Sequence, residues 1–150
     1  MRRRDFLRSC SGAALALALG GCGDSKTGPV PIKAGRDVCE LCRMIISEVQ
    51  FAAEVRGGTK AKMFKFDDIG CAVHWLRGME WKDDPATEFW VMDHRTGSTW
   101  LDARAAAYVP GIRTPMDYGF GAVASPEPGT VPYAVMVERV IARGVSPVTG

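Results

Sequence analysis

The placement of the cysteines limits how this chain can fold more than any other feature of its sequence. Five cysteines are present, at positions 10, 22, 39, 42 and 71. Cys39 and Cys42 form a Cys-x-x-Cys pair, and Met44 follows two residues after the second cysteine. This spacing is typical of a turn whose two sulfurs bind one metal ion or form a redox pair. Which chemistry applies depends on the compartment, and therefore on the N-terminal segment.

The first 21 residues have the pattern of an export signal, with a basic start, a short apolar run and small residues at the end. The sequence RRDFL at 3–7 matches the twin-arginine pattern of bacterial export signals. The sequence LGGC at 19–22 resembles a lipobox, whose cysteine is acylated. We therefore expect residues 1–21 to be a signal peptide. We expect Cys22 to carry a lipid that anchors the mature protein to the inner or outer membrane, facing the periplasm.

The composition after the signal excludes one large class of function. Residues 1–21 contain four arginines and one aspartate, whereas the whole chain has a formal net charge of +2. The remaining chain is therefore close to −1 and has no basic patch, so nucleic-acid binding is not expected. Residues 22–37 are polar and contain glycine and proline, which predicts a flexible tether after the lipidated cysteine. Residues 38–150 have the length of one small domain.

Three cysteines remain in this mature chain: Cys39, Cys42 and Cys71. An odd number leaves at least one thiol outside any intramolecular disulfide in an oxidising compartment. Thiols that persist there are usually buried or bind a ligand. The pattern does not indicate a disulfide scaffold.

The hydrophobic periodicity predicts an α+β domain. For the first half we expect a strand over 49–55, a turn at Gly57-Gly58, a return strand over 60–66, and a helix from 69 to 76 capped by Asp67. For the second half we expect strands at 89–92, 100–101 and 108–109, a short alanine-rich helix after Asp102, and an irregular loop over 110–121. A final helix is expected over 131–142, capped by Thr130 and ended by Gly144.

The sulfur ligands favour copper(I) as the metal. Thiolate and thioether sulfurs are soft ligands that select Cu(I) over harder cations. Met44 is close enough in sequence to add a third sulfur to the Cys39–Cys42 pair. Met116, in a distant loop, is a candidate for a further ligand, although spacing alone favours a packing role for a loop methionine.

A zinc site is the alternative. Cys71 and His74 repeat the two-residue spacing of Cys39 and Cys42. The four residues together make a complete tetrahedral zinc set, which would stabilise a domain that binds another protein. Haem attachment would need a histidine where Arg43 stands. A thioredoxin-type pair would follow a strand rather than a tether.

Six short motifs occur in order along most of the mature chain. They are D-x-C-x-x-C-x-M-I-I-S at 37–47, F-D-D at 66–68, V-x-D at 91–93, W-L-D-A-R-A at 100–105, A-Y-V at 107–109 and T-P-M at 114–116. This series resembles the NosL-type lipoproteins, copper chaperones that accompany nitrous oxide reductase. The family commonly has glycine where this chain has Arg43. Cys71 and His74 lie where the family pattern has no expected ligands.

The resemblance implies a protein that binds and delivers copper and is not an enzyme. It implies a periplasmic Cu(I) carrier that supplies apo nitrous oxide reductase, or a related cuproenzyme, during denitrification. It further implies that the protein acts together with an ABC-type membrane transporter complex. The fold it implies is a single small α+β domain of paired β-β-α-like units. The ligand set it favours is Cys42, Met44 and Met116, with Cys39 as a fourth or exchange ligand.

Overall fold

The computed structural model describes residues 27–147. The expectations for the signal at 1–21 and for the lipidated Cys22 fall outside this range. The strands are β1 (Ala53–Gly57), β2 (Lys62–Phe66), β3 (Glu88–Met92), β4 (Trp100–Asp102), β5 (Ala107–Pro110), β6 (Phe120–Val123) and β7 (Val131–Pro132). The helices are α1 (Ile69–Arg77) and α2 (Tyr133–Arg143), and a short 3-10 helix covers Val49–Phe51. None of the helices within 27–147 is long and apolar enough to cross a membrane.

Two antiparallel sheets and two helices make up the domain. One sheet has the strand order β2-β1-β3-β4 and the other has the order β6-β5-β7. Helix α1 packs on β1, β2 and α2. The predicted α+β class is confirmed, and the order strand, strand, helix is clear in β1, β2 and α1.

Strand β1 is buried on both of its faces. Ala53 and Val55 face the core beneath α1, and Glu54 and Arg56 alternate with them on the opposite face. That opposite face is covered by residues 28–31, which belong to the segment expected to be a tether. The main-chain N–H of Val30 donates to Glu54 Oε2 at 2.9 Å, and Arg56 Nη2 donates to the carbonyl of Gly28 at 2.8 Å. This part of the segment is therefore bonded to the sheet.

The residue that caps helix α1 lies one position after the cap expected from the sequence. The side chain of Asp68, not Asp67, accepts a hydrogen bond from the N–H of Gly70 at 2.9 Å. This is the usual N-cap geometry, because Asp68 keeps an extended backbone while its carboxylate binds a free N–H of the first turn. The prediction that Asp67 caps the helix is therefore wrong, and the Asp67 side chain is left for another contact.

The second half differs from expectation at β6 (Phe120–Val123), which begins inside the expected irregular loop, and at two residues expected to start or cap helices. Asp102 does not start a helix: its carboxylate accepts from the N–H of Arg104 at 2.8 Å, which closes a turn that leads into β5. Thr130 does not cap α2, because its hydroxyl donates to the carbonyl of Glu127 at 2.7 Å. Residues 131–132 then pair with β5 as β7, so α2 starts only at Tyr133.

Candidate metal centre

A tight turn between residues 37 and 46 carries the Cys-x-x-Cys pair. The N–H of Cys39 donates to the carbonyl of Met44 at 2.8 Å, and the N–H of Arg43 donates to the carbonyl of Cys39 at 3.0 Å. Arg43 has a φ of +66°, in the left-handed region that favours glycine. This conformation gives a physical reason for the glycine that the family commonly has here. The turn directs both cysteines inward: Cys39 is fully buried and Cys42 nearly so.

One main-chain hydrogen bond and one ion pair hold this turn against the edge of the four-stranded sheet. The N–H of Glu40 donates to the carbonyl of Lys65 on β2 at 2.8 Å. The Lys65 ammonium in turn contacts Asp37 Oδ2 at 2.6 Å. The cysteine turn is therefore held where β2 ends and α1 begins, the place from which Asp67 and Cys71 extend.

Four side chains from these segments converge. The sulfurs of Cys39, Cys42 and Cys71 and a carboxylate oxygen of Asp67 all lie within 4.8 Å of one another. All four residues are buried. Cys42 Sγ lies 3.4 Å from both carboxylate oxygens of Asp67, so its thiol donates to that group. We call these four residues the cysteine cluster.

The three thiols of the cysteine cluster differ in acidity. A hydrogen bond from the Cys71 thiol, together with weaker contributions, lowers the pKa of Cys39 to about 7 despite its burial. Burial raises the pKa of Cys42 to about 12. The bond to Cys39, and burial, also raise the pKa of Cys71. Cys39 is therefore the first of the three to form the thiolate that a soft metal ion binds.

Met116 is buried in the same core as the cluster, whereas Met44 lies on the outer side of the turn. Met116 is 8% exposed and belongs to the same buried group of side chains as the three cysteines. Its N–H donates to Asp68 Oδ2 at 3.0 Å, next to Asp67 at the start of α1. Met44 is 44% exposed and is joined to the cluster through its main chain.

His74, the fourth member of the zinc set expected from sequence, has a different environment. Its Nε2 lies 3.1 Å from the carbonyl oxygen of Val140 on α2, and its ring is 5.4 Å from that of Tyr118. The structure thus brings Cys39, Cys42 and Cys71 together and places Asp67 with them. The sequence did not predict Asp67 as a member of the cluster, because an aspartate before a helix usually indicates an N-cap. The F-D-D motif was the available signal.

The arrangement is chemically suited to a soft metal ion. Three sulfurs and one carboxylate are gathered in a buried site, and Met116 belongs to the same core. Deprotonated thiolates bind Cu(I) or Zn(II) strongly, and a thioether favours Cu(I). Arg43 and Met44 lie on the exposed side of the turn that carries Cys39 and Cys42.

Comparisons with known proteins bear on the fold. No family model matches the sequence, and no curated protein matches it either. Among solved structures, the chain is similar to the crystal structure of the copper chaperone NosL from Shewanella denitrificans. The TM-score is 0.54 at 21% sequence identity, and the match covers 77% of this chain and 89% of that chain. The chain therefore has a NosL-type fold, as its ordered motifs implied.

Proposed function

We propose that this protein is a Cu(I)-binding chaperone that carries copper and transfers it to another protein, without enzymatic activity. The observation that carries the proposal is the cysteine cluster itself: three buried sulfurs, in a core that also contains Met116 and in a domain with the fold of a copper chaperone. Soft sulfur ligands hold Cu(I) against competing hard cations. The exposed side of the cysteine turn, at Arg43 and Met44, would face the acceptor during transfer.

The ligand set that we propose contains Cys39, Cys42 and Met116, with Met44 available on the exposed side of the turn. Cys71 adds a third thiol, because it lies within reach of the same ion. The recipient that we propose is apo nitrous oxide reductase or a related cuproenzyme, reached with an ABC-type transporter complex. The lipid on Cys22 would hold the protein at the periplasmic side of a membrane. The sequence motifs support these last assignments.

A structural zinc site is the second candidate, and one observation favours it. Three cysteines and an aspartate within 4.8 Å provide the four ligands that a closed tetrahedral zinc site needs. Asp67 would then take the place expected for His74. This candidate makes Met116 a packing residue with no effect on metal affinity.

Metal competition separates the two. Residues 23–150, which include every described element, are prepared reduced and without oxygen, and are titrated with Cu(I) and with Zn(II) against chelators of known affinity. A chaperone binds one Cu(I) tightly and zinc weakly. Cys39→Ser or Cys42→Ser then costs more than the roughly 10- to 100-fold typical of losing a contact outside the ligand set.

Methionine variants give the sharper comparison. Met116→Leu keeps the volume and removes the thioether, so it weakens Cu(I) binding and leaves zinc binding unchanged. Met92→Leu is the matched control, because Met92 is also buried but lies on β3 outside the cluster. Zinc that stays bound through purification, with Cu(I) affinity indifferent to Met116→Leu, would reject the chaperone proposal.

A further inference from the structure

The main chain of Met116 is held on its N–H side by the start of helix α1. Asp68 Oδ2 accepts from the N–H of Met116 at 3.0 Å, while Asp68 Oδ1 accepts from the N–H of Gly70 at 2.9 Å. Asp68 is fully buried. One carboxylate therefore fixes the first turn of α1, which carries Cys71, and the loop that carries Met116.

The carbonyl side of Met116 is held by the segment that follows helix α2. Gly144, at a φ of +77°, ends α2 and turns the chain back. The hydroxyl of Ser146 then donates to the carbonyl of Met116 at 2.9 Å, and the N–H of Ser146 donates to the Tyr118 hydroxyl at 3.0 Å. Both hydrogen bonds join the chain end to the same loop.

Two contacts with α1 set the position of this segment. The bond between His74 Nε2 and the carbonyl of Val140 joins α1 to the last turn of α2, which Ser146 follows. Tyr118 packs directly on Gly70, where a Cβ would lie 2.0 Å from the Tyr118 ring atom Cγ. The contacts thus form a closed circuit from Asp68 through Met116, Ser146 and α2 back to His74 on α1.

The loop needs such restraint. Residues 111–119 have no regular secondary structure, and Gly111, Asp117 and Gly119 all adopt positive φ. A free loop of this kind would have to be ordered each time a metal ion is bound, which reduces affinity. The hydrogen bonds at both sides of Met116 order it in advance.

We infer that Ser146 is a positioning residue for Met116: together with Asp68 it fixes the main chain that presents the thioether to the cysteine cluster. This inference rests on the proposed function and adds a residue that lies outside the cluster and far from it in sequence. It also gives His74 a role, which is to set the spacing of α1 and α2 so that Ser146 reaches the loop.

A double-mutant cycle tests the inference, using residues 23–150 and Cu(I) competition with a chelator. Ser146→Ala is expected to weaken Cu(I) binding by about three- to tenfold, the range of one lost hydrogen bond. In the Met116→Leu background the same change is expected to have no further effect, because there is no thioether left to position. Ser146→Thr keeps the hydroxyl and should restore the affinity. Ser125→Ala, at an exposed serine, is the matched control.

Each outcome separates this inference from the chaperone proposal. An equal loss in both backgrounds would show that Ser146 acts through general stability, and would overturn the inference while leaving Cu(I) binding in place. No loss with Ser146→Ala alone would overturn it as well. A wild-type protein that binds no Cu(I) would instead reject the proposed function and this inference with it. Thermal unfolding of each variant, measured without metal, confirms that the proteins compared are folded.

Discussion

The sulfur of Cys71, on the first turn of α1, lies within 4.8 Å of the sulfur of Cys39 in the turn that precedes the sheet. The two residues are 32 positions apart in the chain. The Cys71 thiol beside it lowers the pKa of Cys39 to about 7 and makes Cys39 the most acidic thiol of the cluster. The metal-free site is therefore expected to hold one thiolate, on Cys39, near neutral pH.

The Cys71→Ala variant tests this relationship. Loss of the donor should raise the pKa of Cys39 by about one to two pH units, since a hydrogen bond to a charged group contributes that order of free energy. The ultraviolet absorbance of the thiolate, followed against pH in the metal-free protein, measures the change. Cys42→Ala is the control and should keep the low transition. An unchanged transition in Cys71→Ala would mean that another group stabilises the Cys39 thiolate.

The close packing of Gly70 against Tyr118 predicts that this glycine tolerates no side chain. A Cβ would lie 2.0 Å from Tyr118 Cγ, so Gly70→Ala should lower the free energy of unfolding by about 1–3 kcal/mol, as overpacked cores do. Gly78→Ala is the control, because its Cβ would meet only a carbonyl oxygen at 3.5 Å. Urea denaturation of both variants provides the measurement. Equal stability would show that Tyr118 can move aside at little cost.

The left-handed backbone of Arg43 predicts a stabilising substitution. Arg43→Gly and Arg43→Ala remove the same side chain, but only glycine adopts a φ of +66° without strain. We expect the glycine variant to be more stable than the alanine variant by about 1 kcal/mol. Chemical denaturation of the metal-free proteins compares them. If alanine were as stable as glycine, the turn would not hold this conformation in solution.

Buried Glu54 predicts a pH dependence of stability below neutral pH. Burial raises its pKa from 4.5 to about 7, against smaller opposing contributions from Val30, Lys65 and Arg56. Between these values the folded protein binds more protons at Glu54 than the unfolded chain does. The free energy of unfolding should therefore decrease as pH rises from 4.5 through about 7.

Glu54→Gln isolates this contribution, because glutamine does not titrate. Its unfolding free energy should vary less over the same pH range than that of the wild type. Glu48→Gln, at an exposed glutamate outside the sheet, should retain the wild-type dependence. Parallel slopes for all three proteins would show that Glu54 stays ionised when the protein is folded.

The elements that the sequence predicted well are those with strong local signals. The strand after Gly58, helix α1 and the strand at 89–92 each combine an apolar period with a clear start or stop. One error lies at 49–51, where the expected strand is a 3-10 helix. Two others occurred where a polar side chain had two plausible uses. Asp67 and Thr130 both precede helices, but Asp68 and Pro132 occupy the N-cap positions.

The candidate site was only partly accessible from sequence. In the zinc alternative the sequence predicted that Cys39, Cys42 and Cys71 share a site, and the structure brings their sulfurs together. The part played by Asp67 depends on the rotation of α1 relative to the cysteine turn, which no local pattern encodes. Whether His74 or Asp67 joins the three cysteines depends likewise on the packing of α2, since the carbonyl of Val140 on α2 is the partner of His74.

The cysteine turn, the start of α1 and the Met116 loop are brought together only by the folded chain. An unfolded chain keeps just the Cys39–Cys42 pair as a local chelate, so an ion that uses all three segments binds the folded state preferentially. Binding and release of the ion would then change the stability of the folded protein, and with it the lifetime of the protein. The empty form would be the less stable one, and the one that proteases remove first.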